Sequence, residues 1–513
     1  MVFKSDKDCF GQLETIEFFM IHITLLALAA AFSLQAQDSK IDPQVSKAIS
    51  GGRSVSVLLL GEKQLLQGRK GFSVFCQKNS GYKRRELRAQ LIAQLKKIAN
   101  TEQVALRKEL KLPRETQGLW LVNAVAATLS PEAIRAAAKS ERVKYIYPAG
   151  PIPQGQGRGR VGTVLGKGAV RPFSTKGKII PWNLKAVKAD QVWSQLGITG
   201  GGSVVAMYDA GVDYNHEDLR ENIWRNPGER ANNGKDDDGN GWVDDIYGFN
   251  FRFGSPEVKP NSVQAGRLQH GTLTSGIVAG DGTGGTITGV APRAKLMPLL
   301  GWGGPYGAAR VHEYALENGA DVMNMSFSIP NLGQTRGLWR LMSEHATAAG
   351  LVLVSGAGNF QSLSRPVQLR IPEGIPCVIA AGGVDQNLKI PNFVSLGPVE
   401  WGSVKFYEDH PMPKGLIKPD VSAFPGPNYP VLANKRGYLD PNNRVRGNSF
   451  SGPHVAGTVA LMFSANPELT AWRVKEILEI TATDLGAKGK DNDTGAGLLN
   501  ALAAVKAAIA EKK

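Results

Sequence analysis

The chain has 513 residues, 42% of them hydrophobic, with 60 glycines and 29 prolines. That length suggests two to three domains with a sizeable core, and the composition is globular and turn-rich, which excludes a coiled coil or a disordered chain. A formal net charge of +15 and a pI near 9.6 raise the question of nucleic acid. However, the excess sits in Lys83-Arg84-Arg85, Arg88, Lys96-Lys97, Arg107-Lys108 and Lys111 and between Arg158 and Lys178, with no basic helix interleaved with aromatics, so no nucleic-acid partner is expected.

Up to residue 19 the chain is polar and charged; Met20 then opens an apolar run to Leu34, followed by Gln35-Ala36-Gln37. A run too short to span a bilayer comfortably, ending near a small residue, reads as a secretory signal over residues 1–37 and predicts no stable membrane span. Asp6, Asp8, Glu14 and Glu17 do not suit a positive leader, so translation is expected to start at Met20. Cys9, Cys76 and Cys377 form neither a metal spacing nor a disulfide framework.

Residues 38–150 read as a small α+β module. Ser54 to Leu60 is a strand, Arg84 to about Lys111 a charged helix, and Leu119 to Leu129 a further strand. Ser130-Pro131-Glu132 caps a short helix from Ala133 to Lys139, and Val143 to Pro148 is the last strand. Residues 151–178, rich in Gly, Pro, Arg and Lys, read as an exposed flexible linker that packs against nothing and is open to proteolysis.

Residues 179–513 alternate apolar strands with helices. Val204 to Tyr208, Lys295 to Leu299, Val322 to Met325, Leu351 to Val354 and Cys377 to Ala381 are near-continuous apolar runs, as in a doubly wound, mostly parallel α/β sheet with helices on both faces. Functional groups in such sheets gather at the strand C-terminal ends.

Gly447-Asn448-Ser449-Phe450-Ser451-Gly452-Pro453 is a turn feeding a buried apolar helix, with a serine at its mouth. Pro453 is tolerated in a helix's first turn and not deeper, so the helix should begin near Ser449 or Phe450. A hydroxyl there faces free N–H groups and the positive end of the helix dipole, which suits a nucleophile; it also suits an ordinary N-cap. Asp209 directly follows the Val204 to Tyr208 run, and His270 precedes Gly271-Thr272 and the small-residue run Ser275 to Gly280. Read singly, the first is a turn or cap residue and the second a helix-entry histidine.

Taken together these three stretches resemble the acid, histidine and serine motifs of the subtilisin-like serine proteases, and they stand in that family's chain order, Asp, His, Ser. The resemblance runs from about residue 179 to the C-terminus. It implies Asp209, His270 and Ser449 as a catalytic triad and Asn359, in Ser355-Gly356-Ala357-Gly358-Asn359, as the oxyanion donor. His454, on the same helix as Ser449, is the rival base and is expected to be structural. The resemblance also implies substrate binding along Gly303 and Gly304 by strand addition and against a pocket wall at Ser326, Phe327 and Ser328. Where relatives carry glycines in that wall this chain has Ser328 and Ile329, so a narrowed or reshaped primary pocket is expected. Leu273 replaces a common second histidine, and Asn448 the usual threonine before the nucleophile.

Asp236, Asp238 and Asn240, with Gly241 at the turn and Asp244 later, match the first half of an EF-hand-like loop and predict structural calcium, although no glutamate follows at the twelfth place. No cofactor is needed for the chemistry itself. The 38–150 module is similar to the inhibitory, ferredoxin-like propeptide of this family, notably at Leu129 to Glu132 and Val143 to Pro148. The expectation is therefore a secreted or cell-envelope, monomeric serine endopeptidase acting on proteins or peptides through an acyl-enzyme, made as a zymogen with its own propeptide as inhibitor. The alternative is a catalytically silent binding or scaffold protein on the same fold.

Overall fold

Two sheets organise the chain. The computed structural model describes residues 40–512 apart from 67, 153–159, 162–164, 166–172, 261–268, 302–303, 427, 434 and 441–444, so the signal-like segment lies outside the described residues. Among the described residues no helix is long and apolar enough to cross a membrane.

The N-terminal module contains α1 (Pro43–Ile49), β1 (Val55–Gly61), α2 (Gly68–Lys78), α3 (Arg84–Glu109), β2 (Gln117–Leu119), β3 (Ala124–Leu129), α4 (Pro131–Lys139) and β4 (Val143–Pro148). The four strands are antiparallel in the order β2-β3-β1-β4. Ser130 caps α4 as its sequence predicts, accepting from the Ala133 N–H. Where one strand is expected from Leu119 to Leu129 there are two, because Asn123 takes a left-handed conformation (φ +39°) and turns the chain. Its side chain donates to the Lys63 carbonyl at 2.8 Å. Two further helices add to these elements: α1, with Asp42 as its N-cap and Pro43 in its first turn, and α2.

The apolar run of β1 has two uses. Val57 and Leu59 pack with Leu106, Ile134 and Ile146 inside the module, whereas Leu58 and Leu60, on the opposite face, join the core of the larger unit. Period-two alternation therefore buries both faces, one by the module's own helices and the other by its neighbour.

That larger unit contains α5 (Trp182–Ala186), α6 (Ala189–Leu196), β5 (Val204–Tyr208), β6 (Phe249–Asn250), α7 (His270–Ala279), β7 (Lys295–Leu300), α8 (Pro305–Glu317), β8 (Val322–Met325), α9 (Thr335–Ala348), β9 (Val352–Gly356), β10 (Ile379–Gly383) and β11 (Val421–Ala423). A small hairpin of β12 (Val431–Leu432) and β13 (Tyr438–Leu439) precedes α10 (Ser451–Ala465), α11 (Ala471–Thr481) and α12 (Ala501–Ala510). Seven strands form a parallel sheet in the order β11-β10-β9-β8-β5-β7-β6. Val205 and Met207 point to the core with α7 and α10, while Ala206 and Tyr208 point to the one with α8 and α9. This is the doubly wound arrangement expected.

The linker is a correction. Val161 is buried in the core of the larger unit. The Leu165 N–H donates to the Tyr247 hydroxyl at 2.6 Å. At Val161 and Leu165, then, the chain does pack, whereas residues 153–159, 162–164 and 166–172 of this stretch lie outside the described residues.

Candidate active site

Asp209 stands one residue past the end of β5, His270 is the first residue of α7, and Ser449 lies two residues before α10. Close backbone approaches set His270 beside Asp209 and fix Ser449 at the end of β9. A side chain on Gly271 would meet the Gly211 carbonyl at 2.2 Å, so only glycine lets α7 lie on the turn after Asp209. Gly356 meets the Asn448 carbonyl and Gly452 the Gly356 N–H in the same way, which seats the start of α10 on the end of β9. The helix starts at Ser451 with Phe450 as its N-cap, so Ser449 is not a capping residue.

The Asp209 carboxylate is buried, with its oxygens 2.8 and 3.0 Å from Nδ1 of His270. Thr274, one helical turn on from His270, donates to Asp209 Oδ2 at 3.1 Å, and the Ala210 N–H to Oδ1 at 2.7 Å. Burial works against a charged imidazole, but the adjacent carboxylate outweighs it and holds the His270 pKa above its ordinary value. The Phe450 ring, next to Ser449, lies 6.1 Å from the His270 ring.

The Ser449 hydroxyl donates to the Ser326 carbonyl at 3.3 Å, and the Ser326 hydroxyl to the Ser449 carbonyl at 2.9 Å. Asn359 Oδ1 accepts from the Asn448 N–H at 2.8 Å, which leaves its Nδ2 as the open donor at an exposed position. Asn448 is fully buried and donates to the Gly358 carbonyl at 2.8 Å, fastening the Ser449 loop to the Asn359 loop. His454 is excluded as a base: both ring nitrogens are bonded, to Phe450 O at 2.8 Å and Asn183 Nδ2 at 2.9 Å, and burial lowers its pKa to about 4.

Of the substrate-edge residues, Gly303 lies outside the described residues. Gly304 is left-handed (φ +110°), and a side chain there would sit 2.9 Å from Ala149 O. The Tyr306 N–H donates to that same carbonyl at 3.1 Å, so the last residues of the N-terminal module lie along this edge. Phe327 packs edge-on against Tyr208 at 4.8 Å. Ser328 donates to Glu373 at 2.6 Å.

The module's basic residues dock it. Arg84 is buried and bonds Asp321 at 2.5 Å, Pro467 O at 2.9 Å and Gly350 O at 3.1 Å. Arg88 donates to the Ala320 and Leu316 carbonyls beyond and at the end of α8, and Lys96 pairs with Glu317 at 2.6 Å. Part of the positive excess is thus matched to acidic groups and helix C-terminal carbonyls within the chain.

The acidic loop arranges itself differently from the ligand set read from sequence. Asp236 accepts from the Asn240 and Gly241 N–H groups, and Asp244 from those of Asn233 and Gly234. Asp238 instead meets Glu229 and Asp245, whose oxygens lie within 4.8 Å of one another. Asn240 bridges Asp238 and Asp245 at 3.1 and 3.0 Å. Burial, with Asp245 and Asp238 adding to it, pushes Glu229 up to about 7. Glu229 lies seven residues before the loop, outside the pattern that drew attention to it. Thr274, by contrast, was recoverable from its i+4 spacing to His270.

Comparison with known proteins agrees with this geometry. The model of the Subtilase family matches residues 200–497. Subtilisin DY of Bacillus licheniformis is 30% identical over 64% of this chain and 99% of its own length. Subtilisin-like protease 1 of Plasmodium berghei (strain Anka) is 27% identical over 66% of this chain, and fervidolysin of Fervidobacterium pennivorans 29% identical over 63%. The matches span 56% and 43% of those two relatives, about half their length. Three ordered motifs, a buried Asp209 carboxylate paired with His270 and a family match over more than half the chain lead to one conclusion: the chain belongs to the subtilase family.

Proposed function

We propose that this chain is a secreted serine endopeptidase that hydrolyses peptide bonds of proteins. The observation that carries the reading is the Asp209–His270 pair at 2.8 Å beside the Ser449 loop. His270, held in one tautomer by Asp209, takes the Ser449 proton as the oxygen attacks the carbonyl and then donates it to the leaving amine. The open Nδ2 of Asn359 and the Ser449 N–H stabilise the oxyanion, and water then releases the acyl group by the same route in reverse. An extended substrate adds as a strand along Gly304.

Residues 38–150 act in this reading as an inhibitory propeptide, removed by a cut between about 149 and 180. Support comes from Ala149 on the substrate edge and from the β1 face that the larger unit covers. Glu229, Asp238 and Asp245 would hold calcium. They fit a hard cation: three carboxylates converge, and Glu229 Oε2 is buried with no hydrogen-bond partner. The ion would supply structural cohesion only.

The test is to incubate the purified chain with an unstructured protein substrate and sequence all new termini. Cleavage of substrate together with a new N-terminus in the linker, both lost in Ser449→Ala, is expected. Equal cleavage by Ser449→Ala would overturn the reading.

A further inference from the structure

Two segments flank the nucleophile: Ser326 to Ile329, bonded to Ser449 through Ser326, and Gly356 to Asn359, bonded to Asn448 through Asn359. The side chain of the residue whose carbonyl is attacked must enter between them. The turn Arg370-Ile371-Pro372-Glu373-Gly374 lies against both segments, through Ile329 and Ser328 on one side and Gly358 on the other. The Ile329 N–H donates to the Ile371 carbonyl at 2.7 Å, the Gly374 N–H to the Arg370 carbonyl at 2.7 Å, and Trp401, fully buried, donates to the Gly374 carbonyl at 2.9 Å. The turn is therefore held from both sides.

Glu373 projects from this turn with no exposed surface. Its Oε1 accepts from the Ser328 hydroxyl at 2.6 Å and from the Arg370 N–H at 3.0 Å, and a side chain on Gly358 would come within 3.2 Å of it. The carboxyl thus touches one wall through Ser328 and lies under the other at Gly358. Phe327, between the two wall serines, packs its ring edge-on against Tyr208. Arg370 stacks its guanidinium on Phe360 at 3.5 Å, and its charge only partly offsets the effect of burial on Glu373.

We propose that Glu373, hydrogen-bonded across to Ser328, is a specificity-determining crossbar that closes the primary pocket early and selects small uncharged residues, alanine, serine or glycine, at the cleaved bond. The proposal rests on the endopeptidase reading above. A long aliphatic or aromatic side chain would have to break the 2.6 Å bond and leave a buried carboxyl with fewer partners. A lysine would have to reach an oxygen that is fully enclosed. Burial pushes Glu373 up to about 7, so near neutrality it is readily protonated and can itself donate within the crossbar.

The test measures kcat/KM of the purified full chain, its reactive serine titrated with a fluorophosphonate, on otherwise identical quenched peptides carrying Gly, Ala, Ser, Leu, Phe or Lys before the cleaved bond. Alanine and serine should exceed phenylalanine by at least about 10-fold, the scale on which one or two methylenes are discriminated in a fixed pocket. Ser328→Gly and Glu373→Ala should each raise phenylalanine relative to alanine, a gain that misfolding cannot mimic. Glu373→Gln, which keeps the volume and the bond to Ser328, should retain the wild-type order. Titrated enzyme that takes phenylalanine or leucine as readily as alanine, or prefers lysine and loses that preference in Glu373→Gln, overturns the crossbar while leaving the endopeptidase reading standing. A chain with no reactive serine overturns both.

Discussion

His345 and Leu121 are joined across the boundary between the two units: Nδ1 of the fully buried imidazole donates to the Leu121 carbonyl at 2.6 Å. Its Nε2 accepts from the Leu66 N–H at 3.1 Å, so one catalytic-unit histidine reads two backbone groups of the N-terminal module and must be neutral to do so.

Association of the module should therefore weaken in acid. Burial lowers His345 to about 4, against the ordinary value near 6.5 to which it returns on exposure. A depressed pKa contributes stability that is complete above about 6.5 and is lost as pH falls towards 4. Glu313, which accepts from the Leu121 N–H at 2.9 Å, acts in the opposite sense. Burial raises it to about 6, so its contribution is complete below about 4.5 and fades as pH rises through 6. Together they predict a weakening of roughly 3-fold between about pH 7 and pH 5, growing to about 20-fold in Glu313→Gln and reversed to a strengthening of several-fold in His345→Gln. Retention of the module after the linker is cut, followed by size-exclusion chromatography at the two pH values, measures this.

Catalysis should show an acid limb. His270 works as a base only when neutral, so kcat/KM should fall as pH drops through a value above 6.5. Asp209→Asn removes the charge that raises this pKa. It should lower kcat by about 10⁴ and move the residual limb to lower pH, as a pH–rate profile would record.

Asn359→Ala removes a donor from the oxyanion and not from the ground state. Turnover should drop by about 10² to 10³ with little change in KM. A larger change in KM than in kcat would place Asn359 in substrate binding instead.

Stability should depend on Asp420, fully buried among Lys418, Lys475 and Lys490 at 2.6, 2.6 and 2.8 Å. The three ammonium groups hold its carboxyl well below the ordinary range, despite burial. Burial lowers Lys418 to about 8 even beside this carboxylate, so Asp420→Ala leaves an enclosed amine that has lost the partner opposing its deprotonation, and should cost about 3–5 kcal/mol in denaturant unfolding.

Calcium is expected to stabilise through Glu229, Asp238 and Asp245. Chelation should lower the thermal midpoint, and Glu229→Gln should reduce that dependence more than Asp236→Asn does. An unchanged midpoint on chelation would remove the ion from the account.

The placement of Asp209, His270 and Ser449 was legible because each sits in a short stretch whose glycines and apolar runs dictate local geometry: Asp209 after a buried strand, His270 before Gly271, Ser449 before Gly452. The parallel sheet was legible for the same reason. What sequence did not reveal was partnership across distance. Ser328 looked like a bulky wall residue, and nothing near it in the chain points to Glu373, 45 residues on. Glu229 lies outside the acidic loop whose Asp238 and Asp245 it meets, and Arg84 stands in a run of basic residues with nothing nearby in the chain to point to Asp321. The Leu119 to Leu129 hairpin was missed because Asn123 breaks an apolar run by one left-handed residue, a signal too local to outweigh the run.

The most direct test of the account is fluorophosphonate labelling followed by mapping of the adduct. Covalent modification is expected on Ser449 alone, slowed by orders of magnitude in His270→Ala and absent in Ser449→Ala. Labelling at another serine, or equal labelling of the His270→Ala variant, would contradict the mechanism.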